Sequence, residues 1–290
     1  MPKQFVVEAR IALPGNDLFA AEKSESFGRS LSRVMEDLKK GLPMQPVLQN
    51  FEQGVLTLTL NRVDKKNALT AQMYALLADA LSAAQSNPEV RVVLMQGHET
   101  VFSAGNDIAD FLEHPPTSDD STVAAFLSAI HNFSKPLIIA VKGNAVGVGT
   151  TMLLHADIVV AGENAKFSVP FTSLGLVPEA GSSFLLPRMI GHHRAAELFF
   201  TGDSIDANYA EEIGIVNYVA ADPYQKAHEI AVKIAKQPPQ AIINTKALMK
   251  ANIHDSVAAV MRAEFEIFAL ALQSDEARQA FMQFLNRKKG

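Results

Sequence analysis

Hydrophobic and polar positions change rhythm several times along the 290 residues of this chain. Residues 55–60, VLTLTL, alternate apolar residues with Thr, the period of two that a half-buried strand requires. Residues 71–86 switch to an Ala- and Leu-rich helical run, stopped by Asn87-Pro88. Short β-branched runs follow at 90–96, 137–141, 156–161 and 165–169. Strands interleaved with helices predict an α/β fold, with a largely parallel sheet covered on its faces. After about Gly191 the pattern is almost wholly helical, over 194–201, 208–212, 224–237, 239–251, 256–272 and 274–287. Residues 1–46 stand apart. They hold an apolar run at 5–12, a Pro14-Gly15 break and an amphipathic helical segment over 24–40 that Gly41 and Pro43 end. The expected organisation is an N-terminal extension (1–46), a β/α core (47–200) and a helical C-terminal region (201–290).

Composition narrows the function classes. Apolar residues make up 48% and charged residues 20%, ordinary values for a globular protein. The net charge of −5 offers no footprint for nucleic acid. With no cysteine, disulfides, thiolate metal sites and a cysteine nucleophile are all excluded. No apolar run approaches the length of a membrane span, and the N-terminus lacks a leader-like pattern, so a reducing cytoplasm is the expected setting, without a membrane partner. His98, His155, His192 and His193 form no metal-binding pair, so no metal is expected. Ser103, Ser182 and Ser183 have no histidine and acidic partner readable nearby, which disfavours a serine nucleophile.

Three stretches carry the candidate chemistry. In VFSAGNDIADF (101–111) small residues and Gly105 lead into an acidic helix start. In KGNAVGVGTTMLLHAD (142–157) Gly143, Gly147 and Gly149 precede an apolar helix. Both patterns present backbone N–H groups at a helix start, where anions or developing oxyanions are held, although a close-packed strand-to-helix turn would read the same. In PFTSLGLVPEAGSSFLLPRMIG (170–191), Glu179 lies in a Gly- and Pro-punctuated apolar loop. Two readings of Glu179 stand at this point. It is a solvated loop carboxylate, or it is lodged among Leu174, Leu176, Val177 and Phe184 with a raised pKa and moves protons.

Taken in order, with LNRVDKKNALT (60–70), KPLIIAVKGNAVGVGTT (135–151), ADIVVAGENAKFSVPFTSLGLVPEAGSS (156–183) and TGDSIDANYAEEIGIVN (201–217), the chain from about residue 47 resembles the crotonase (enoyl-CoA hydratase/isomerase) superfamily. That resemblance implies a crotonase-like spiral of ββα units, a helical C-terminal region used for trimerisation, and an acyl-CoA thioester as substrate. Coenzyme A would then be part of the substrate, with no separate cofactor. The expected assembly is a homotrimer or a dimer of trimers.

Carried over residue by residue, the resemblance implies that the backbone N–H groups of Asn106 and Val148 form an oxyanion hole. Val148 departs from the Gly common at that position, but a backbone donor survives the change. Ala68, Ala104, Asp107 and Ile108 fall where the family lines its CoA channel. Lys65, Lys66 and Arg287 are candidates for the CoA phosphates, with a solvated surface role as the alternative. Family hydratases keep two glutamates, and those positions here are Thr151 and Phe171, the latter counted among the substrate-binding candidates. Glu179 remains. Its loop looks like that of the peroxisomal-type Δ3,Δ2-enoyl-CoA isomerases, which implies a one-base isomerase. A hydratase or other crotonase-type acyl-CoA enzyme is the alternative within the family, and a non-catalytic acyl-CoA-binding scaffold is the alternative from another class.

Overall fold

The computed structural model describes residues 45–113 and 121–287, apart from the side chains of 284–287. The expected helix at 24–40 and the side chain of Arg287 therefore lie outside the described residues. From Pro46 onward the chain is one compact unit.

A hairpin begins it. Strand β1 (Val47–Glu52) pairs antiparallel with β2 (Val55–Leu60) through a turn at Gln53 and Gly54, both with positive φ. Helix α1 (Ala71–Ser86) follows, with the Thr70 hydroxyl accepting from the Met73 N–H as its N-cap. The buried Lys135 ammonium closes the other end by donating to the carbonyls of Ala84, Asn87 and Val90 at 2.6–2.9 Å. Strands β3 (Val92–Gln96), β5 (Leu137–Val141) and β7 (Ile158–Gly162) then run parallel beside β2, and their nearly unbroken apolar sequence fits burial on both faces.

Each of these three strands is followed by a short partner: β4 (Val101–Ser103), β6 (Asn144–Val146) and β8 (Lys166–Ser168). The partners, with β9 (Ile205–Asp206), form a second sheet of order β4-β6-β8-β9, beside the main sheet of order β1-β2-β3-β5-β7-β10, which ends in β10 (Tyr218–Ala220). Alternate strands thus feed alternate sheets, which is the ββα spiral. Helices α2 (Ile108–Glu113), α3 (Thr122–Asn132) and α4 (Val148–Thr151) leave the ends of these turns.

The region after Gly191 departs from the expectation of near-total helix. Strand β9 (Ile205–Asp206) pairs with β8 and β10 (Tyr218–Ala220) forms an edge of the main sheet. Two or three residues are too few to show an alternation, so these strands exist through their partners. The helices are α5 (Ser182–Ile190), α6 (His192–Thr201), α7 (Ala207–Glu212), α8 (Pro223–Ala235), α9 (Pro239–Lys250), α10 (His254–Leu272) and α11 (Asp275–Arg287). Helix α8 packs on one face of the main sheet through Ala227, Ala231 and Ala235. Helix α10 lies over the opposite, larger core, where Phe268 meets the ring of Phe111 edge-on. Among the described residues no helix is long and apolar enough to cross a membrane.

Candidate active site

The two glycine turns leave the small sheet side by side. Because β4 and β6 are parallel neighbours, the chain exits both at the same end. A Cβ on Gly105 would lie 2.9 Å from the Val146 carbonyl oxygen, and Gly105 holds φ +86°, so only glycine fits there. Gly149 is less constrained, with no left-handed φ, but a Cβ there would lie 3.1 Å from the Ser103 Cβ and carbonyl oxygen and would need them to give.

Each turn exposes one backbone donor. Leu69 pairs with Asn106 in a parallel bridge: the Leu69 N–H donates to the Gly105 carbonyl at 2.8 Å and the Asp107 N–H to the Leu69 carbonyl at 2.9 Å. The Asn106 N–H lies outside this exchange and makes no hydrogen bond among the described residues. Val148 opens α4, whose first internal donors are Thr150 and Thr151, both bonding the Gly147 carbonyl. The Val148 N–H is therefore one of the unpaired donors of a helix start. Gly147 takes the positive φ that the turn needs, so the Val148 side chain packs into the core without disturbing it.

Glu179 is buried, with 9% of its surface exposed, which excludes the solvated-loop reading. The Thr151 hydroxyl donates to its Oε1. Thr151 is one turn along α4 from Val148, so the carboxyl group stands against the same short helix that presents the Val148 donor. Burial pushes the Glu179 pKa up to about 8; the Thr151 hydrogen bond opposes this and the nearby Glu264 charge adds to it. A buried Tyr74 joins the two halves of the site. Its hydroxyl donates to the Asn106 side-chain oxygen, and burial, then the Glu179 charge, hold the phenol far above its ordinary pKa.

The other candidates from the sequence gather on one interlocked pair of turns. The Ala104 N–H donates to the Lys66 carbonyl and the Ala68 N–H to the Lys65 carbonyl, both at 3.0 Å. Lys65 and Lys66 are exposed, and Ala68, Ala104 and Ile108 are half-buried. The Asp107 carboxylate is engaged by Arg62 at 2.6 Å and also accepts the Ala109 N–H. Burial pushes its pKa up, but Arg62 and the helix-start N–H groups outweigh that and leave it low. Phe171 is buried in the core, and its carbonyl accepts the N–H groups of Leu174 and Leu176, folding the loop that leads to Glu179. The cavity of about 370 Å³ lined by His131, Lys246, Lys250 and His254 opens elsewhere.

Sequence reasoning passed over the residues that lock these turns. Asn67 is fully buried with φ +51°; it accepts the Arg62 N–H at 2.7 Å and donates to the carbonyls of Phe102 at 3.0 Å and Val101 at 3.3 Å. The Ser103 hydroxyl donates to the Asn67 carbonyl at 2.9 Å. Asn67 sits in a KKNALT run, where an Asn capable of left-handed backbone was the available signal.

Known proteins with this arrangement decide the family. A family model described as Enoyl-CoA hydratase/isomerase matches residues 50–290. The chain belongs to the enoyl-CoA hydratase/isomerase family. Within that family it is 31% identical over 248 residues to 2,3-dehydroadipyl-CoA hydratase of Escherichia coli (strain K12), covering 84% of this chain and 97% of that protein. It is 31% identical over 281 residues to enoyl-CoA delta isomerase 2 of Rattus norvegicus, covering 94% of this chain and 71% of that protein. Among solved structures, Pseudomonas aeruginosa OdaA superimposes with a TM-score of 0.81 at 45% identity, over 83% of this chain and 98% of that one. The fold is the crotonase fold of these enoyl-CoA hydratases/isomerases, and the chain is an enzyme of that family.

Proposed function

We propose that this enzyme moves a double bond from 3-enoyl-CoA to trans-2-enoyl-CoA by a one-base proton shift. The observation that carries the reading is the buried carboxylate of Glu179, set against the helix that presents the Val148 N–H, while the buried Glu264 nearby is taken up by the Gly181 and Ser183 donors. The positions where the resemblance implies hydratase glutamates hold Thr151 and Phe171, neither of which can deprotonate water. Relatives named delta isomerase support the reading, and relatives named hydratase make the reaction worth separating experimentally.

In this mechanism the thioester oxygen accepts the N–H groups of Asn106 and Val148. Glu179 removes a proton from C2, the electron pair moves into a dienolate, and the two donors stabilise the oxygen where charge develops. Glu179 then delivers the proton to C4, which leaves the double bond between C2 and C3 and regenerates the carboxylate. Burial makes Glu179 a stronger base than an exposed glutamate, because its charged form is the poorly solvated one. In this reading Ala68, Ala104 and Ile108 line the path of the coenzyme A arm, with Lys65 and Lys66 toward its phosphates.

The active assembly in this reading is a homotrimer or a dimer of trimers. Leu248 (77% exposed) and Met249 on α9, with Ile267 and Leu270 (71% exposed) on α10, give a single chain more bare apolar surface than isolated exposed residues explain. Replacing Glu179 by Gln tests the mechanism. It keeps shape and hydrogen bonding but removes the base, and turnover should fall by about 10² to 10⁴. Acyl-CoA binding should be nearly unchanged. Near-normal isomerisation by the Gln variant would overturn the assignment.

A further inference from the structure

The residues immediately after Glu179 are held in an improbable conformation. Ala180 has φ +61° and Gly181 φ +69°, two consecutive left-handed residues, and the first is not glycine. Such backbone persists only where its surroundings over-determine it. Two buried side chains from distant parts of the chain do so here.

The Nε2 of His155 meets the Ala180 carbonyl at 2.7 Å. A carbonyl only accepts, so Nε2 carries the proton and donates. The second side chain is Glu264, on α10. Its Oε2 accepts the Gly181 N–H at 2.6 Å and its Oε1 accepts the Ser183 N–H at 2.9 Å and the Ser183 hydroxyl at 2.5 Å. Glu264 is 6% exposed; burial pushes its pKa up, and the three donors from Ser183 and Gly181 oppose that by favouring its charged form. The fit leaves no slack: a Cβ on Gly181 would lie 2.9 Å from Val257 of the same helix.

We propose that Glu264 and His155 are positioning residues for the proposed base: between them they hold the Ala180 carbonyl and the Gly181 N–H of the turn and thereby fix where the Glu179 carboxyl group points. The assignment rests on the reading of Glu179 as the base, and it gives helix α10, in the C-terminal region, a part in the site. The groups that act on Glu179 are the Thr151 hydroxyl on α4 and the Glu264 carboxylate on α10, and the buried Tyr74 phenol on α1 in turn feels the Glu179 charge. Burial, the largest influence, holds His155 neutral with a pKa of about 3, so it acts through its hydrogen bond and not through charge.

The experiment follows the protonation of Glu179 directly. The infrared carbonyl band that disappears in Glu179→Gln is titrated in the substrate-free enzyme, so the result stands whether or not the enzyme proves to be an isomerase. In Glu264→Gln the negative neighbour is gone and the turn is held by fewer acceptors. The titration midpoint should fall below that of the unmodified enzyme, and kcat should drop about ten- to a hundredfold with KM little changed, as expected when a group is misplaced by about an ångström. A second pair covers the case in which Glu264→Gln does not fold. His155→Leu, which loses the bond to Ala180, should shift the midpoint, and His155→Gln, which keeps a donor, should restore it. A folded Glu264→Gln with unchanged midpoint and unchanged kcat would overturn the proposal. So would a His155→Leu variant indistinguishable from the unmodified enzyme.

Discussion

The Thr151 hydroxyl donates to Oε1 of Glu179, so a residue that cannot titrate in the working range tunes one that can. The bond favours the charged carboxylate and opposes the burial that lifts its pKa to about 8. A base acts only when ionised, so kcat/KM should rise with pH through about 8 and level off above it. Thr151→Val removes the opposing bond. The rise should then move to higher pH, and a profile that stays in place or moves down would contradict this role.

The same buried carboxylate affects stability, with a definite sign. The Glu179 pKa of about 8 in the folded protein stands above the 4.5 of an unperturbed glutamate, so the native state holds the proton more tightly. The stability contribution of Glu179 therefore falls as pH rises from about 4.5 to about 8 and changes little beyond. Glu179→Gln should match the unmodified protein below pH 4.5 and exceed it near pH 8 by an amount on the order of a few kcal/mol. Urea unfolding midpoints at pH 4 and pH 8 check this. A variant less stable at pH 8 would contradict it.

Gly105→Ala separates turn shape from backbone strain. It forces both a positive φ and a contact of 2.9 Å with Val146, and should cost about 1–3 kcal/mol. By displacing the Asn106 donor it should also lower kcat by about 10² to 10³. Gly191→Ala is the control, since Gly191 has φ +87° but no atom within 4 Å of the added methyl. It should lose stability and keep turnover. Equal kcat values for the two variants would argue against the Asn106 donor.

Asn67→Ala should destabilise the protein by a few kcal/mol, because it strands the part-buried Arg62 N–H and the buried carbonyl acceptors of Val101 and Phe102. Thermal unfolding measures this, and a loss below about 0.5 kcal/mol, the range of an ordinary surface substitution, would show that the turn does not depend on it.

Light scattering after size exclusion tests the assembly. The mass should be about three times 31.4 kDa, or twice that, and a stable monomer at micromolar concentration would contradict the proposed covering of α9 and α10.

The long apolar strands and the helices after Gly191 were legible because each repeats its period over enough residues. The loop holding Glu179 was legible through its Pro and Gly punctuation. What escaped was set by distance in sequence. Tyr74 meets Asn106 across 32 positions, Asn67 meets Val101 across 34, and Glu264 meets Gly181 across 83. Nothing local distinguishes Glu264 from any other helix carboxylate, and only the fold brings it to the turn. Strands β9 and β10 escaped for the related reason that two or three residues carry no pattern of their own.

In the proposed reaction one carboxylate moves a double bond and does not add water. The most direct measurement supplies the unmodified enzyme with 3-enoyl-CoA, and separately with trans-2-enoyl-CoA, and follows each product by mass and absorbance. The account predicts rapid conversion of the first to trans-2-enoyl-CoA, with hydration of the second slower by orders of magnitude. Hydration as fast as isomerisation would contradict it.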